Sequence, residues 1–160
     1  MPAKSFVSFH LGDQLFGIDI CQVREINRHL HLTPVPLAPN YVRGLVNLRG
    51  QIITVLDLKE RLGLGQTEMS DISHNIILKT DSEQGISKPD KDSSSIISEK
   101  VGFWVDAIGN VISLDTTEID PPPANMGEVD GKYLFGVVKL ENTLMSILSI
   151  AKILNGKVDE

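Results

Sequence analysis

The side chains of this chain that could bind a metal ion or act in catalysis are few and poorly spaced. His29 and His31 could offer two imidazoles from one side of a strand, but the spacing indicates no third or fourth ligand. Asp115, Glu118 and Asp120 lie close in sequence without the spacing of a calcium-binding loop. We therefore predict exposed histidines, and carboxylates that are solvated or cap the start of a helix.

Recognisable catalytic motifs are also absent. The sequence contains no glycine-rich phosphate loop, no G-x-S-x-G turn and no H-E-x-x-H pair. Cys21 is the only cysteine, so an internal disulfide is impossible, and a thiolate metal site would need other ligands. We predict a small buried thiol at this position. The sequence thus predicts a protein that is not an enzyme and that has no cofactor.

Two arginine-glycine pairs are better candidates for function. Arg43 with Gly44 and Arg49 with Gly50 bracket an apolar segment. Glycine adopts backbone conformations closed to other residues, so each pair can form a sharp turn or admit another backbone. Arginine there suits planar, partly desolvated contacts with the carboxylates of a partner. The pairs indicate a protein-binding surface, and an ordinary solvated surface is the alternative.

Composition narrows the class of partner and the location. The net charge is -6, every arginine lies before residue 62, and only 5% of the residues are aromatic, which does not favour nucleic acid. No stretch approaches the roughly 20 apolar residues that span a bilayer. The first residues alternate like a strand and lack the apolar core of a signal peptide. We predict a cytoplasmic protein without membrane insertion.

The first third of the chain reads as strands and an extended connector. Residues 6–11 and 15–20 alternate around a glycine turn and predict a hairpin. Residues 23–26 fit either a strand or the end of a short helical turn that Asp19 could cap. Three prolines in residues 33–39 exclude an interior strand or helix, so an extended connector is expected.

The middle of the chain predicts a second group of strands. The apolar run 52–56 indicates a buried strand, and residues 57–62 a short helix. Residues 75–79 and 101–105 predict two paired strands. Between them, residues 80–100 are rich in serine, aspartate and lysine, with too little apolar surface to offset the entropy of ordering. We predict a mobile surface insertion there, with a phosphorylated loop as the alternative.

The last third predicts further short elements. Residues 106–110 indicate a turn, 111–114 a strand, 133–140 with 143–148 a final hairpin, and 149–154 a short helix. Many short strands separated by proline and glycine are typical of a barrel or sandwich. With 160 residues of which 41% are hydrophobic, the chain can form one domain or two small halves that share a core.

Four blocks of sequence, in this order, resemble the CheW family of bacterial chemotaxis adaptors. The resemblance covers almost the entire chain, adds no kinase or receiver domain, and is most specific at NLRG, residues 47–50. The blocks are FVSFHLGDQLFGIDICQVREI, TPVPLAPNYVRGLVNLRGQIITVLDLKERLGL, VGFWVDAIGNVISLDTTEIDPPP and YLFGVVKLENTLMSILSIAKIL.

The resemblance implies a mainly β fold of two intertwined, five-stranded, SH3-like β-barrel subdomains with short helices, in one domain of residues 1–160. It implies a non-catalytic adaptor that couples the cytoplasmic tips of methyl-accepting chemoreceptors to the regulatory domain of the histidine kinase CheA. Such an adaptor is cytoplasmic and is recruited to membrane-bound receptor arrays. A pilus-motility or other chemosensory system is an alternative, as is a β-barrel sensor of small molecules.

The resemblance also implies roles for four residues. Arg49 matches the arginine of the family's NLRG segment, which is linked to receptor contact, and Glu25 matches the acid of its VQEI segment, which here reads VREI. Val23 and Gly44 match positions associated with kinase or receptor binding. Val23 would be an apolar surface contact, and a side chain at Gly44 would obstruct docking. A turn requirement alone explains Gly44 equally well.

Overall fold

The computed structural model describes residues 3–28, 32–65, 74–79, 100–126 and 129–155. These residues form thirteen strands and two short helices. The strands are β1 (Ala3–Leu11), β2 (Gln14–Asp19), β3 (Val23–Asn27), β4 (Val42–Leu48), β5 (Gln51–Asp57), β6 (His74–Leu78), β7 (Val101–Val105), β8 (Ala107–Asp115), β9 (Ile119–Asp120), β10 (Asn125–Met126), β11 (Val129–Asp130), β12 (Leu134–Lys139) and β13 (Leu144–Leu148). The helices are α1 (Leu58–Arg61) and α2 (Ile150–Asn155).

Six strands form the first sheet, in the order β8-β1-β2-β13-β12-β9. If this sheet were flat, its outer strands β8 and β9 would lie about 24 Å apart, which is five strand spacings. The chain nevertheless passes from Asp115 to Ile119 through one 3-10 turn, and four Cα steps span at most about 15 Å. The sheet must therefore curl, which brings its two edges towards each other.

Five strands form the second sheet, in the order β3-β6-β7-β5-β4. A flat sheet would place its outer strands about 19 Å apart. Instead, Arg49 in the turn that links β4 to β5 forms an ion pair with Glu25 of β3. Arg24 of β3 also donates a hydrogen bond to Gln51 at the start of β5 over 2.9 Å, so this sheet also curls and its outer strands approach each other. The predicted fold class is confirmed, and the first sheet gains a sixth strand, the two-residue β9.

The two curled sheets are interleaved along the chain. Residues 3–19 and 106–155, from both ends of the chain, form what we call the terminal half, which contains the first sheet and α2. Residues 20–105 form the central half, which contains the second sheet and α1. The central half is thus inserted between β2 and β8 of the terminal half.

Apolar side chains form three clusters. The terminal half encloses Phe6, Leu114, Val138, Met145 and Ile147. The central half encloses Val46, Ile53, Val55, Ile77 and Trp104. A third and larger cluster takes side chains from both halves, among them Phe9, Phe16, Ile18, Leu58, Ile76, Leu78, Phe103, Leu134, Leu148 and Ile153. Each large apolar side chain buried there contributes about 1.5–3 kcal/mol, so the shared cluster holds the halves together.

Most of the predicted elements are present. The first hairpin is β1 with β2, residues 75–79 and 101–105 pair as β6 and β7, and the final hairpin is β12 with β13. For residues 23–26 the sequence left open a strand or the end of a short helical turn. The structure contains both, because Asp19 caps a 3-10 turn of residues 20–22 and β3 follows directly. Residues 80–99 of the predicted insertion, and His29 and His31, lie outside the described residues.

The predicted turn at residues 106–110 is wrong. Strand β8 begins at Ala107 and pairs with β1, with a register shift between Val7 and Phe9. Two residues of β8, Gly109 and Asn110, therefore oppose Ser8 in a bulge. A Cβ atom at Gly109 would lie 2.6 Å from Ser8 Oγ, so the glycine allows close packing within a strand.

Candidate functional site

A tight turn between β4 and β5 presents Arg49 to solvent. The turn has only two central residues, and both have positive φ angles, 53° at Arg49 and 85° at Gly50. Such a pair is typical of the type I′ turns of two-residue hairpins. The Asn47 side chain accepts a hydrogen bond from the Gly50 N–H over 2.9 Å. The N-L-R-G segment therefore supplies an acceptor, a glycine and an arginine whose side chain is 64% exposed.

Arg49 forms an ion pair with Glu25. Arg49 Nη2 donates to Glu25 Oε2 over 2.5 Å, and the Glu25 side chain is 26% exposed. Because Glu25 lies on β3 and Arg49 lies in the β4–β5 turn, the pair crosses the seam where the second sheet closes. The sequence indicated the two residues separately, and only the closure of the sheet brings them together.

Val23 lies two residues before Glu25, at the start of β3. Its side chain is half-buried and packs against the cluster shared by the two halves, so only part of it is available to a partner. Two apolar side chains that the sequence reasoning did not select, Ile20 and Ile26, flank it and are more exposed. The available signal was the apolar residue on each side of Val23, one in the 3-10 turn and one in the short strand that follows it.

Gly44 is buried in β4 and has a structural reason to be glycine. Its φ angle is 149°, and a Cβ atom would lie 2.6 Å from the carbonyl oxygen of Thr33. Thr33 in the proline-rich connector exchanges two backbone hydrogen bonds of 2.8 Å with Leu45. The connector therefore lies too close to β4 for any side chain at position 44, and a role in docking stays a prediction.

Two further arginines of this region hold the structure together. Arg43 Nη1 lies 3.2 Å from an oxygen of Asp57, whose side chain is fully buried and also caps α1. Arg61 of α1 reaches into the terminal half. Its Nη1 donates to the Tyr133 hydroxyl over 2.9 Å, and its Nη2 donates to the carbonyl of Ile153 over 2.8 Å. Neither role was predicted, because the partners lie far away in sequence.

The side chains first considered for chemistry have other roles. Asp115 and Glu118 form a capping box at the start of a 3-10 turn. Of the two roles predicted for these carboxylates, this is the capping role. Within the described part of the chain, no three His, Cys, Asp or Glu side chains are grouped so that they could hold a metal ion. The predicted burial of Cys21 is wrong. It lies in a 3-10 turn that contributes no buried residue, and its thiol is exposed.

The surroundings of Asp19 shift the pKa of its carboxyl group. Burial would raise the pKa of its carboxyl group, but the hydrogen bond from Lys4 and the one from the Cys21 N–H together lower that pKa below its ordinary value of 3.8. Lys4 Nζ lies 2.6 Å from Asp19 Oδ2. The ion pair fixes the end of β2 just before the chain enters the central half.

Two curled sheets around a shared core, with a charged hairpin turn on the surface, define a β protein equipped for protein contact. Comparison with known proteins supports this class of protein. A family model described as the CheW-like domain matches residues 5–158, so the chain belongs to the CheW-like family. None of the helices in the described residues is long and apolar enough to cross a membrane.

Individual relatives match over more than four fifths of their own length. The chemotaxis protein CheW of Treponema pallidum is 29% identical over 155 residues, which is 94% of this chain and 82% of that protein. CheW of Rhizobium meliloti is 29% identical, over 92% of this chain and 84% of that protein. The crystal structure of the scaffolding protein TtCheW from Thermoanaerobacter tengcongensis has a TM-score of 0.79 and 31% identity, and the match covers 96% and 88% of the two chains.

Proposed function

We propose that this chain is a non-catalytic chemotaxis adaptor, which couples the cytoplasmic tips of methyl-accepting chemoreceptors to the regulatory domain of the histidine kinase CheA. The observation that carries the proposal is the β4–β5 turn, in a chain of the CheW-like family. A non-glycine residue with positive φ is costly, and such strain is concentrated at functional sites. Here the strained residue is Arg49, whose side chain is held at the surface by Glu25.

The turn has the physical properties of a contact point. A guanidinium that is already oriented by a carboxylate loses less side-chain entropy when it binds a partner. Arg49 and Glu25 together present one donor and one acceptor group to a receptor tip. Val23 on β3 and Gly44 on β4, the two outer strands of the second sheet, contribute to the contact with kinase or receptor. By holding both proteins in fixed positions, the adaptor lets the conformational bias of one alter the other.

The proposal places the chain in the cytoplasm, recruited to receptor arrays at the membrane. It requires no bond to be made or broken by the chain itself. Its domain organisation is a single unit of residues 1–160, since the terminal half needs both ends of the chain and the shared cluster needs both halves.

Capture by purified partners tests the function. The chain is mixed with a receptor cytoplasmic fragment and with a kinase regulatory domain, and complexes are separated by size. We expect both partners to be captured, and Arg49→Glu to weaken receptor capture with an unchanged melting temperature. Lys139→Glu is the matched control, because it reverses an exposed charge on the terminal half. Equal capture by both variants would refute the assigned role of Arg49, and capture of neither partner by the native chain would refute the function.

A further inference from the structure

Two adjacent charged residues of β3 reach the same hairpin turn. Arg24 Nη1 donates a hydrogen bond of 2.9 Å to Gln51 Oε1, and the next residue, Glu25, accepts a hydrogen bond from Arg49. Arg49 and Gln51 stand on either side of Gly50 in the turn between β4 and β5. Two neighbouring side chains of one strand thus hold one turn at two points.

A β-bulge explains how both side chains reach the turn. Successive residues of a regular strand point to opposite faces of the sheet, so Arg24 and Glu25 would ordinarily not share a target. The register of β3 with β6 shifts, however. Val23 lies opposite Leu78, but Glu25, two residues further on, lies opposite the adjacent residue of β6. Arg24 is therefore the extra residue of a bulge, and a bulge redirects a side chain.

Side chains rather than a backbone ladder hold the turn against β3. In the strand order of the second sheet, β3 stands at one end and β4 at the other, next to β5. The seam where this sheet closes is crossed by the Arg24–Gln51 bond and by the ion pair of Arg49. Both lie beside Gly50, whose positive φ angle forms the turn. The position of the turn relative to β3 therefore depends on these contacts.

The two contacts differ in their exposure to water. The Arg49 side chain is 64% exposed, whereas Arg24 and Gln51 are both half-buried. A hydrogen bond from a charged donor is stronger than one between neutral groups, and an exposed ion pair is weak by comparison. The Arg24–Gln51 bond is thus the firmer of the two attachments, and it lies two residues from the exposed guanidinium.

We propose that Arg24 is a positioning residue for the receptor contact. Through its bond to Gln51 it holds the β4–β5 turn against β3. The turn then keeps Arg49 paired with Glu25 and oriented towards the receptor tip, so less side-chain entropy is lost on binding. Arg24 acts through the turn and does not itself need to touch the receptor. This role rests on the proposed coupling function.

The order of the Arg49 side chain in the free chain tests the positioning without any partner. The order parameter of its Nε–H bond, measured by ¹⁵N relaxation, should fall in Gln51→Leu, which removes the acceptor of the bond. Gln51→Glu keeps an acceptor and adds a charge, so the order parameter should stay at the native value or rise. Gln14→Leu is the matched control, because it removes the same amide group from β2 of the first sheet.

Affinity for a receptor cytoplasmic fragment tests the effect on binding. Gln51→Leu and Arg24→Met should each weaken binding by about two- to tenfold, the effect of having to order one long side chain. The double variant should bind about as well as the weaker single variant, because both substitutions remove the same bond. Gln51→Glu and Gln14→Leu should bind as the native chain does. All variants are compared at temperatures well below their melting temperatures, so that unfolding does not contribute.

Failure of the positioning role and failure of the function give different results. A native chain that does not bind the receptor fragment would refute the coupling function and the role of Arg24 with it. If the native chain binds, an unchanged Arg49 order parameter or an unchanged affinity in Gln51→Leu would overturn the role of Arg24 alone. Losses of affinity that multiply in the double variant would also overturn it, because Arg24 and Gln51 would then act independently.

Discussion

Arg61 of α1 donates a hydrogen bond to the hydroxyl oxygen of Tyr133, 2.9 Å away, and this bond joins the two halves of the molecule. The guanidinium also lies 5.2 Å from the centroid of the Tyr133 ring and 4.9 Å from that of Tyr41. Its other nitrogen satisfies the carbonyl of Ile153 in α2. A single side chain thus links both halves at the edge of their shared core.

Replacing Arg61 with methionine should lower the free energy of unfolding by about 2–4 kcal/mol, since a hydrogen bond from a charged group contributes 1.5–3 kcal/mol and cation–π contacts add to it. Arg61→Lys should recover only part of the loss, because an ammonium group cannot bond both acceptors in the same geometry. Tyr133→Phe, which removes only the hydroxyl, should cost about 1 kcal/mol. Urea titration measures all three. If Arg61→Met lost less unfolding free energy than Tyr133→Phe, the role of Arg61 in joining the two halves would be contradicted.

Arg49→Asn should separate stability from binding. Asparagine before glycine is the preferred pair for a type I′ turn, so the backbone strain at position 49 should fall and the melting temperature should rise or stay constant. The ion pair with Glu25 is lost, but a pair this exposed contributes little. Receptor capture should nevertheless be lost with the guanidinium. Retained capture would show that Arg49 serves only the turn.

Gly44→Ala should be more destabilising than Gly50→Ala. Both glycines have positive φ angles, so alanine is strained at either position. At Gly44 the new Cβ atom would also lie 2.6 Å from the Thr33 carbonyl oxygen, whereas nothing lies within 4 Å at Gly50. We expect the difference between the two variants to exceed about 1 kcal/mol by thermal unfolding, in line with overpacking of a close contact. Equal losses would show that the connector can move away.

The ion pair between Lys4 and Asp19 should contribute to stability only above acidic pH. Because the pKa of Asp19 is lower in the folded chain than its ordinary value of 3.8, the unfolded chain binds the proton first as pH falls. The stabilisation is therefore complete at neutral pH and is lost as pH falls below 3.8 through the folded-state pKa. Lys4→Met should lower the melting temperature near pH 7, and the difference should shrink towards pH 2. A difference that is independent of pH would contradict the assignment.

Deleting residues 82–98 should cost little stability. Strands β6 and β7 are antiparallel neighbours, with Ile77 opposite Gly102, so the described chain on the two sides of the segment, at Lys79 and Lys100, lies close together. The entropy of closing a loop changes slowly with its length. We expect a shift in melting temperature of a few degrees at most. A large loss would show that the deleted segment packs on the folded chain.

Local sequence determined most of the secondary structure. The glycine turn between β1 and β2, the alternation within them and the prolines before β4 each act over a few residues, so they could be interpreted without the fold. Asp57 and Gly63 likewise set the limits of α1 through capping and a positive φ angle. The one clear error in secondary structure, the turn at residues 106–110, arose where a glycine serves close packing against β1.

Only the tertiary structure decided which distant residues meet. The sequence selected Arg49 and Glu25, but their pairing depends on the closure of the second sheet, which no local pattern specifies. The same is true of Arg61 with Tyr133, which are 72 residues apart. Backbone preferences and hydrophobic periodicity act along the chain and are visible in the sequence. Contacts across a closed sheet or between interleaved halves depend on how strands are ordered in space, and only the folded molecule fixes that order.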